Sequence, residues 1–305
     1  MPSAEARIFV RNDAPIRLDE AVVAGGGVVV PLEEANAIVW AASDPEELAR
    51  ALHPGIRWVQ LSFAGIEDFF AAAVVDDERL WTAAKGVYAG PIAEYVLAMM
   101  LAAARQLPRY VGLRSWHQPE TRRVAGSTLG IVGAGGIGRA LIELITPLRL
   151  RTLAITRSGC KVPGATESLG PDALERLLGE SDWVLLAVPD TRETRRLISA
   201  ERLALMRPHA WLINVARGTL VDTDALVEAL VAGRIGGAAL DVTDPEPLPD
   251  GHPLWDLENA IVTSHTAAGG WAMSNAALAE RVRENVQRFA RGDELIGLVS
   301  PDAGY

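Results

Sequence analysis

The stretch LGIVGAGGIGRAL, residues 129–141, decides the fold of this chain. Four apolar residues that read as a strand lead directly into the glycine-rich segment GAGGIG, which is followed by residues with helical spacing. Gly133, Gly135 and Gly138 match a dinucleotide fingerprint, in which glycines permit a tight turn, a close approach of backbone to pyrophosphate, and close helix-to-strand packing. The free amides at the helix N-terminus then face the anion. The sequence therefore predicts a strand, loop and helix that hold a dinucleotide.

Short apolar runs recur on both sides of this loop. From residue 129 onward they alternate with helical segments, and they are continuously apolar, as expected for parallel strands that helices cover on both faces. These runs read LGIV, TLAI, WVLLAV, WLINV, GAAL and AIVT, and the N-terminal part repeats the pattern with IFV, VVV, AIVW and RWVQLS. The predicted fold class is α/β, with two doubly wound parallel-sheet domains, of which the second is a Rossmann domain.

The order of helices and strands indicates a discontinuous domain. Residues 90–108, GPIAEYVLAMMLAAARQLP, read as a long helix that joins the two units. A helical stretch at the end, NAALAERVRENVQRFARG, follows the last strand and can cross back to the first unit. We therefore expect a substrate (catalytic) domain of residues 1–88 plus 277–305, into which a dinucleotide-binding domain of residues 89–276 is inserted.

The composition indicates which classes of partner and which cellular compartment to expect. The chain has 305 residues, 49% of them hydrophobic, and a formal net charge of -10, which repels nucleic-acid phosphates in the absence of a basic patch. Cys160 is the single cysteine and cannot form an internal disulfide. The longest apolar stretch is interrupted by Glu94 and is too short for a bilayer. We expect a cytoplasmic protein that binds neither nucleic acid nor membrane.

The tip of the strand LAIT, residues 153–156, bears on which nucleotide is held. A nicotinamide cofactor usually has its adenosine ribose held by an acidic residue about 20 residues beyond the glycines. Here Arg157 and Ser158 follow the strand instead. A guanidinium makes a charge-assisted hydrogen bond with a 2′-phosphate and gains little from a free 2′-hydroxyl. We predict that NADP(H) is preferred and that NAD(H) is possible; the alternative is that Arg157 is a solvated surface side chain.

Three stretches carry residues that are unusual for a scaffold. Arg217 follows a buried strand in NVARGTLVD, Glu246 lies among prolines in DVTDPEPLP, and His265 ends another strand in IVTSHTAAGG. Together they offer a cation for a carboxylate, a histidine that can move a proton, and a carboxylate that orients the histidine and favours its charged form. No spacing among His, Cys, Asp and Glu predicts a metal site.

These motifs resemble the D-isomer-specific 2-hydroxyacid dehydrogenases, in particular members like glyoxylate/hydroxypyruvate reductase. The resemblance runs over most of the chain: RWVQLSFAGIEDF, PIAEYVLAMML, STLGIVGAGGIGRAL, DWVLLAVPDTRETRRLIS, LINVARGTLVDTDALVEAL, GAALDVTDPEPLPDGHPLW, TSHTAAGG and GLVSPDAGY. It implies two flavodoxin- or Rossmann-like domains and a homodimer formed through the long-helix region. It also implies an oxidoreductase that transfers a hydride between a nicotinamide cofactor and a small 2-oxo acid or D-2-hydroxy acid.

The resemblance assigns roles residue by residue. It implies that His265 is the acid/base, that Glu246 orients His265 and that Arg217 binds the substrate. It also implies that the backbone amides of Ala64 and Gly65, in SFAGIE, hold the substrate carboxylate, unless this segment is only a turn. On the cofactor side it places Gly136 and Ile137 at the pyrophosphate, Pro189 and Thr194 at the adenosine, and Val215, Ala216 and Asp241 at the nicotinamide.

Two other functions stay open. A corepressor-like relative uses the same fold to sense nicotinamide nucleotides, but we expect such a protein to carry added peptide-binding or disordered segments. A formate- or phosphite-type dehydrogenase is the second alternative; formate enzymes carry an amide where Glu246 stands. The identity of the 2-oxo acid is left open, and so is the role of Trp271, which could line the substrate pocket.

Overall fold

The computed structural model describes residues 5–13, 16–116, 118, 120–268 and 270–300, without the side chains of residues 270–274. Within these residues, every pairing between named strands is parallel. The strands form two sheets, one in each of two units of the chain. The predicted α/β class with two parallel-sheet domains is confirmed.

The first unit consists of Met1–Tyr88 and Gly269–Tyr305. Over its described residues it has a five-stranded sheet in the order β2-β1-β3-β4-β5, the order of a flavodoxin-like fold. Its strands are β1 (Arg7–Asn12), β2 (Val28–Val29), β3 (Ala37–Ala41), β4 (Trp58–Leu61) and β5 (Leu80–Thr82). Its helices, numbered along the chain, are α1 (Leu18–Ala24), α2 (Pro45–Ala51), α3 (Glu67–Ala71) and α10 (Gly270–Arg291).

Helix α10 returns from the end of the chain to complete this unit. Its apolar residues Leu278, Val282 and Val286 recur every four positions and are fully or almost fully buried. This stripe contributes to the same core cluster as strands β1 and β3, and α10 packs on α1. A polar contact lies inside this core, because the Asn285 side chain donates to Gln60 Oε1 at 2.8 Å. The C-terminal segment is therefore part of the first unit.

The second unit is Ala89–Ala268. Over its described residues it has a seven-stranded sheet in the order β12-β11-β10-β9-β6-β7-β8. Its strands are β6 (Thr128–Val132), β7 (Arg151–Ile155), β8 (Glu167–Leu169), β9 (Trp183–Leu186), β10 (Trp211–Asn214), β11 (Gly237–Leu240) and β12 (Ala260–Val262). Its helices are α4 (Ala89–Ala104), α5 (Leu107–Val111), α6 (Gly136–Leu144), α7 (Leu174–Glu180), α8 (Ala200–Leu205) and α9 (Thr223–Val231).

The strand order of the second unit locates its ligand-binding edge. From β6 the chain first adds β7 and β8 on one side, and it then adds β9 to β12 on the other side. The switch point therefore lies between β6 and β9. In open parallel sheets of this kind, ligands bind outside the carboxyl ends of the strands at such a point. Strand β6 ends at Val132, and the glycine-rich loop begins at the next residue, Gly133, so the loop lies at this switch point.

The second junction between the units differs from the predicted one. The predicted domains, residues 1–88 plus 277–305 and residues 89–276, would divide the chain inside α10, which runs unbroken from Gly270 to Arg291. The packing of the chain divides it after Ala268 instead, so that all of α10 belongs to the first unit.

No helix in the described part of the chain combines the length and the apolar character needed to cross a membrane.

Candidate active site

The three residues predicted to act on substrate lie in segments that follow three adjacent strands, β10, β11 and β12. Leu240 of β11 is in register with Asn214 of β10 and with Val262 of β12. Because the strands are parallel, the segments that follow them leave the sheet at the same edge and at the same level. In strand order, these segments carry Arg217, Glu246 and His265.

His265 and Glu246 are in direct contact. The distance from His265 Nδ1 to Glu246 Oε1 is 2.6 Å, and both side chains are partly exposed to solvent. An ionised carboxylate only accepts hydrogen bonds, so the proton in this bond belongs to Nδ1. This contact leaves Nε2 as the ring nitrogen that can give or take a proton elsewhere.

The backbone of His265 is held in an uncommon conformation. Its φ of 53° lies in the left-handed region, which costs a residue other than glycine roughly 1 kcal/mol or more. The surrounding contacts fix this turn: the His265 amide donates to Asp241 O at 2.8 Å. The amides of Thr266 and Ala267 donate to the Asp241 carboxylate, each at 2.8 Å. Asp241, only 2% exposed, therefore holds the histidine turn on both sides.

Two hydroxyl groups extend this arrangement. Thr263, the residue after β12, donates from Oγ1 to Asp241 Oδ1 at 2.7 Å. The hydroxyl of Tyr95, on α4, is hydrogen-bonded to the same Thr263 Oγ1. Burial raises the pKa of the Tyr95 hydroxyl to about 12. Helix α4 is thereby connected to the turn that presents His265.

The segment that carries Arg217 packs tightly against the one that carries Glu246. A Cβ atom added at Gly218 would lie 2.0 Å from the carbonyl carbon and oxygen of Thr243, so only glycine permits this approach. The Thr243 amide in turn donates to Glu246 Oε2 at 3.4 Å. Arg217 is half-buried, and its backbone carbonyl accepts a hydrogen bond from Asn214 Nδ2 at 2.8 Å. The order of the strands and this backbone packing therefore place the segment that carries Arg217 beside the segment that carries Glu246.

The glycines after β6 have the steric properties that the fingerprint requires. Gly133 has a φ of 97°, and an added Cβ would lie 2.5 Å from Ala187 O. At Gly138 a Cβ would lie 3.0 Å from Ile131 Cγ2, so this glycine permits close packing of α6 on β6. At Gly135 nothing lies within 4 Å of an added Cβ. One glycine thus permits the turn, one permits helix packing, and one faces open space.

The start of α6 presents unused hydrogen-bond donors. No side chain caps this helix, and among the described residues nothing accepts a hydrogen bond from the amides of Gly136 or Ile137. Unpaired amides at a helix N-terminus favour an anion. The loop and helix therefore fit the pyrophosphate of a dinucleotide.

The tip of β7 offers polar and charged groups. Arg157 and Ser158 are exposed directly beyond the strand. The hydroxyl oxygen of Thr156 is buried there, and within the described residues it has no hydrogen-bond partner. The pKa of the Glu193 carboxyl, after β9, is lowered mainly by a hydrogen bond from Thr191 and also by the positive charge of Arg157. Arg157 therefore lies near the segment after β9.

The other residues predicted on the cofactor side lie at the same edge of the sheet. Thr194 Oγ1 donates to Pro189 O at 2.7 Å and accepts from the Thr191 amide at 2.8 Å, so this hydroxyl closes the turn after β9. Val215 and Ala216 are buried directly after β10. The Ala216 amide is used internally, because it donates to Asn214 Oδ1.

Ala64 and Gly65 lie in the first unit, in the segment after β4. In the described part of the chain, no group accepts a hydrogen bond from either of their amides. The preceding residues are anchored: Tyr88 donates its hydroxyl to Ser62 O at 2.6 Å, and Phe63 O accepts from the Ala84 amide at 2.8 Å. The segment therefore presents two neighbouring backbone donors on an anchored backbone. The side chain of Trp271 lies outside the described residues.

Sequence reasoning missed three residues of this arrangement. Asn214, Thr263 and Tyr95 are polar groups at the ends of apolar strands or within an apolar helix. Asn214 is fully buried, which is unusual for an amide side chain without a specific partner. The signal in the sequence was a polar residue within or at the end of an apolar run, but the run alone does not identify the partner.

A family model described as "D-isomer specific 2-hydroxyacid dehydrogenase, NAD binding domain" matches residues 97–267. An uncharacterized protein in the proB 3′ region of Corynebacterium melassecola is 39% identical, over 93% of this chain and 95% of that protein. A glyoxylate reductase of Korarchaeum cryptofilum (strain OPF8) is 34% identical, over 97% of this chain and 96% of that protein.

A solved structure has a similar fold. The crystal structure of a D-isomer specific 2-hydroxyacid dehydrogenase from Xanthobacter autotrophicus Py2, in complex with NADPH and MES, superposes with a TM-score of 0.86. Its sequence is 29% identical, and the match covers 99% of this chain and 100% of that one.

Proposed function

This chain belongs to the D-isomer-specific 2-hydroxyacid dehydrogenases, and from that premise we propose that it reduces a small 2-oxo acid with NADPH, with glyoxylate as the first candidate substrate. As a member of this family it is an NAD(P)-dependent oxidoreductase that uses a nicotinamide cofactor. Glyoxylate is favoured because the relative from Korarchaeum cryptofilum is named for its reduction.

The observation that carries the proposal is the 2.6 Å contact between His265 Nδ1 and Glu246 Oε1. Glu246 fixes the orientation of the imidazole and directs Nε2 away from itself. In the reductive direction, protonated His265 donates the Nε2 proton to the carbonyl oxygen of the substrate, and in the oxidative direction it accepts that proton back. A positioned histidine acid typically contributes on the order of 100- to 10,000-fold in rate.

Arg217 is proposed to bind the substrate. Its guanidinium can form paired hydrogen bonds with a carboxylate, and it stabilises the negative charge that develops on the carbonyl oxygen during reduction. The amides of Ala64 and Gly65, in the first unit, are proposed as further donors for a substrate carboxylate. A 2-oxo acid offers both a carboxylate and a carbonyl oxygen, the two groups that a guanidinium can bind.

A bound nicotinamide cofactor supplies the hydride for reduction and takes it up in the reverse direction. We propose that the Gly133–Gly138 loop, with the amides of Gly136 and Ile137, holds the pyrophosphate. Arg157, Ser158 and the unpaired Thr156 hydroxyl are proposed for the 2′-phosphate and ribose of NADP(H). The remaining contacts are proposed for Pro189 and Thr194 at the adenosine, and for Val215, Ala216 and Asp241 at the nicotinamide.

The preference for NADP(H) over NAD(H) rests on Arg157 and Ser158 at the tip of β7, where an acidic residue would favour NAD(H). The similar protein from Xanthobacter autotrophicus Py2 was crystallised with NADPH. A homodimer formed through the region of α4 stays a prediction, and so does the cytoplasmic location.

The test is a substrate panel with the purified protein. Glyoxylate, hydroxypyruvate, phenylpyruvate and branched 2-oxo acids are each assayed with NADPH and with NADH, and formate and phosphite with NADP⁺ and NAD⁺. We expect turnover of at least one 2-oxo acid, with a higher kcat/KM for NADPH. Oxidation of formate or phosphite without turnover of any 2-oxo acid would favour the alternative enzyme class. The carboxylate of Glu246, where formate enzymes carry an amide, weighs against it.

A further inference from the structure

We propose that Tyr95 is a positioning residue for His265 and that it acts through a directed hydrogen-bond chain, Tyr95 to Thr263 to Asp241. The inference rests on the proposed role of His265 as the acid/base. Tyr95 lies 168 residues before Thr263 in the sequence, so the contact exists only in the folded second unit.

The direction of the chain follows from the number of protons available. Thr263 has one hydroxyl proton, and Asp241 Oδ1, a carboxylate oxygen 2.7 Å away, accepts it. Thr263 Oγ1 must therefore accept from Tyr95, whose hydroxyl supplies the only proton left for the bond between them. Tyr95 is the donor at the start of the chain, and Asp241 is the acceptor at its end.

Asp241 connects this hydrogen-bond chain to the turn that carries His265. Its Oδ1 accepts from Thr263 Oγ1 and from the Thr266 amide, and more distantly from Thr266 Oγ1 at 3.5 Å, and its Oδ2 accepts from the Ala267 amide. The Asp241 carbonyl receives the His265 amide at 2.8 Å. The carboxylate is almost fully buried, so its orientation is decided by these donors and not by water. Without the Tyr95 hydroxyl, the Thr263 hydroxyl is free to turn away from Oδ1, so Asp241 has one fixed donor fewer and the turn is held less tightly.

Tyr95 is suited to be a fixed donor. It packs against the core cluster of the second unit, and α4 contacts α6, β10 and β11. With a pKa raised by burial, the hydroxyl stays protonated throughout the range in which a histidine titrates. Thr263 itself is held on the other side, because its amide donates to Leu240 O at 2.9 Å. The hydrogen-bond chain is thus anchored at helix α4 and at the ends of strands β11 and β12.

The consequence concerns the geometry of one bond. His265 Nδ1 lies 2.6 Å from Glu246 Oε1 while the backbone of His265 is left-handed, and we infer that a looser turn would let this distance vary. Misplacement of a catalytic group by about 1 Å can reduce the rate on the order of 100-fold. Removal of the Tyr95 hydroxyl should therefore lower kcat by roughly 5- to 50-fold, and it should leave the KM and Kd for NADPH within about twofold.

The experiment is a double-mutant cycle of Tyr95→Phe and Thr263→Val, with Thr263→Ser as the variant that keeps the hydroxyl. We expect both single variants to lose kcat, the double variant to be no worse than Thr263→Val, and Thr263→Ser to retain most of the turnover. Losses that multiply in the double variant would show that Tyr95 acts independently of Thr263. An unchanged kcat in Tyr95→Phe would also overturn the proposal.

A second measurement does not depend on turnover. In protein with ¹⁵N-labelled histidine, the signal of His265 Nδ1–H, assigned with His265→Gln, reports the bond to Glu246. We expect this signal to shift or broaden in Tyr95→Phe and in Thr263→Val, but not in Thr263→Ser. If no 2-oxo acid is turned over but the signal responds in this way, the proposed function fails and the positioning role stands. A melting temperature that falls while the signal stays unchanged would show a purely structural role.

Discussion

Glu246 Oε1 lies 2.6 Å from His265 Nδ1, although 19 residues separate them in the chain. The two side chains meet because β11 and β12 are parallel neighbours whose carboxyl ends lie at one edge of the sheet. The carboxylate occupies one ring nitrogen and leaves the other for chemistry. In the proposed mechanism this pair is where a substrate oxygen is protonated, and Arg217, after β10, lies at the same edge of the sheet.

Replacing Arg157 with Asp should change cofactor preference. The substitution exchanges a donor for a 2′-phosphate with a carboxylate that repels it and that can accept from a free 2′-hydroxyl. We expect the KM for NADPH to rise on the order of 100-fold, and the KM for NADH to change only a few-fold or to fall. Steady-state kinetics with both cofactors measure this.

A matched control for this substitution is Arg234→Asp. Arg234 is exposed and precedes β11, so the same change of charge occurs at the opposite edge of the sheet. We expect it to leave the ratio of the two KM values unchanged. Equal increases of both KM values in Arg157→Asp would mean that this side chain does not contact the 2′-phosphate.

Gly218→Ala should separate the segment that carries Arg217 from the segment that carries Glu246. The added Cβ would lie 2.0 Å from backbone atoms of Thr243, and a backbone cannot rotate away as a side chain can. We expect kcat to fall by at least about 10-fold and the free energy of unfolding to fall by about 1–3 kcal/mol. Turnover assays and urea unfolding measure the two effects. Gly112→Ala, where nothing lies within 4 Å of an added Cβ, is the control and should change neither. Normal turnover in Gly218→Ala would show that the approach of these segments is not needed for activity.

Much of this site was predictable because its signals are local. The glycine loop and the apolar strands each show their physical reason within a few residues, and the structure places them as expected. Strands β5 and β8 were missed, since each has only three residues and β8 is half-buried and partly polar. The predicted second domain ends at residue 276, whereas the second unit ends at Ala268, because α10 begins earlier than its regular apolar spacing indicated.

The contacts made by Tyr95 and Asp241 could not be predicted in the same way. Asp241 was assigned to the nicotinamide side by resemblance, and that role stays a prediction; the resemblance did not indicate that its carboxylate accepts hydrogen bonds from Thr263, Thr266 and Ala267. A contact across 168 residues leaves no spacing pattern in a single sequence. Only the fold brings α4 beside the end of β12, and a tyrosine in an apolar helix reads as core.

Asn285→Leu should destabilise the first unit. Asn285 is fully buried, and its side chain bonds to Gln60 Oε1 at 2.8 Å and to both the carbonyl and the amide of Ile296, at 2.9 and 2.8 Å. Leucine has a similar size but leaves the Ile296 groups unpaired. We expect the free energy of unfolding in urea to fall by about 2–4 kcal/mol. Asn259→Leu, which removes one bond of 3.2 Å from a half-buried position, should cost less than about 1.5 kcal/mol. Equal losses in the two variants would contradict the role assigned to Asn285.

The buried tyrosines should make the protein sensitive to alkaline pH. Burial raises the pKa of Tyr88 and of Tyr95 from 10.0 to about 12. A pKa raised on folding means that the stabilising contribution is complete below pH 10 and is lost as the pH rises through about 12. We expect the Tm to fall across this window, and Tyr88→Phe and Tyr95→Phe each to reduce the steepness of that fall. A pH dependence of Tm identical to that of the wild type in both variants would exclude these hydroxyls as its source.

The most direct test of the central claim is the rate of a single turnover of glyoxylate by His265→Gln with NADPH bound. If His265 donates the proton, this rate should fall on the order of 100- to 10,000-fold while the Kd for NADPH stays within about twofold. His252→Gln, at a histidine whose Nδ1 accepts from the Leu254 amide, should retain the wild-type rate. A single-turnover rate in His265→Gln close to that of the wild type would contradict the assignment of this histidine as the proton donor.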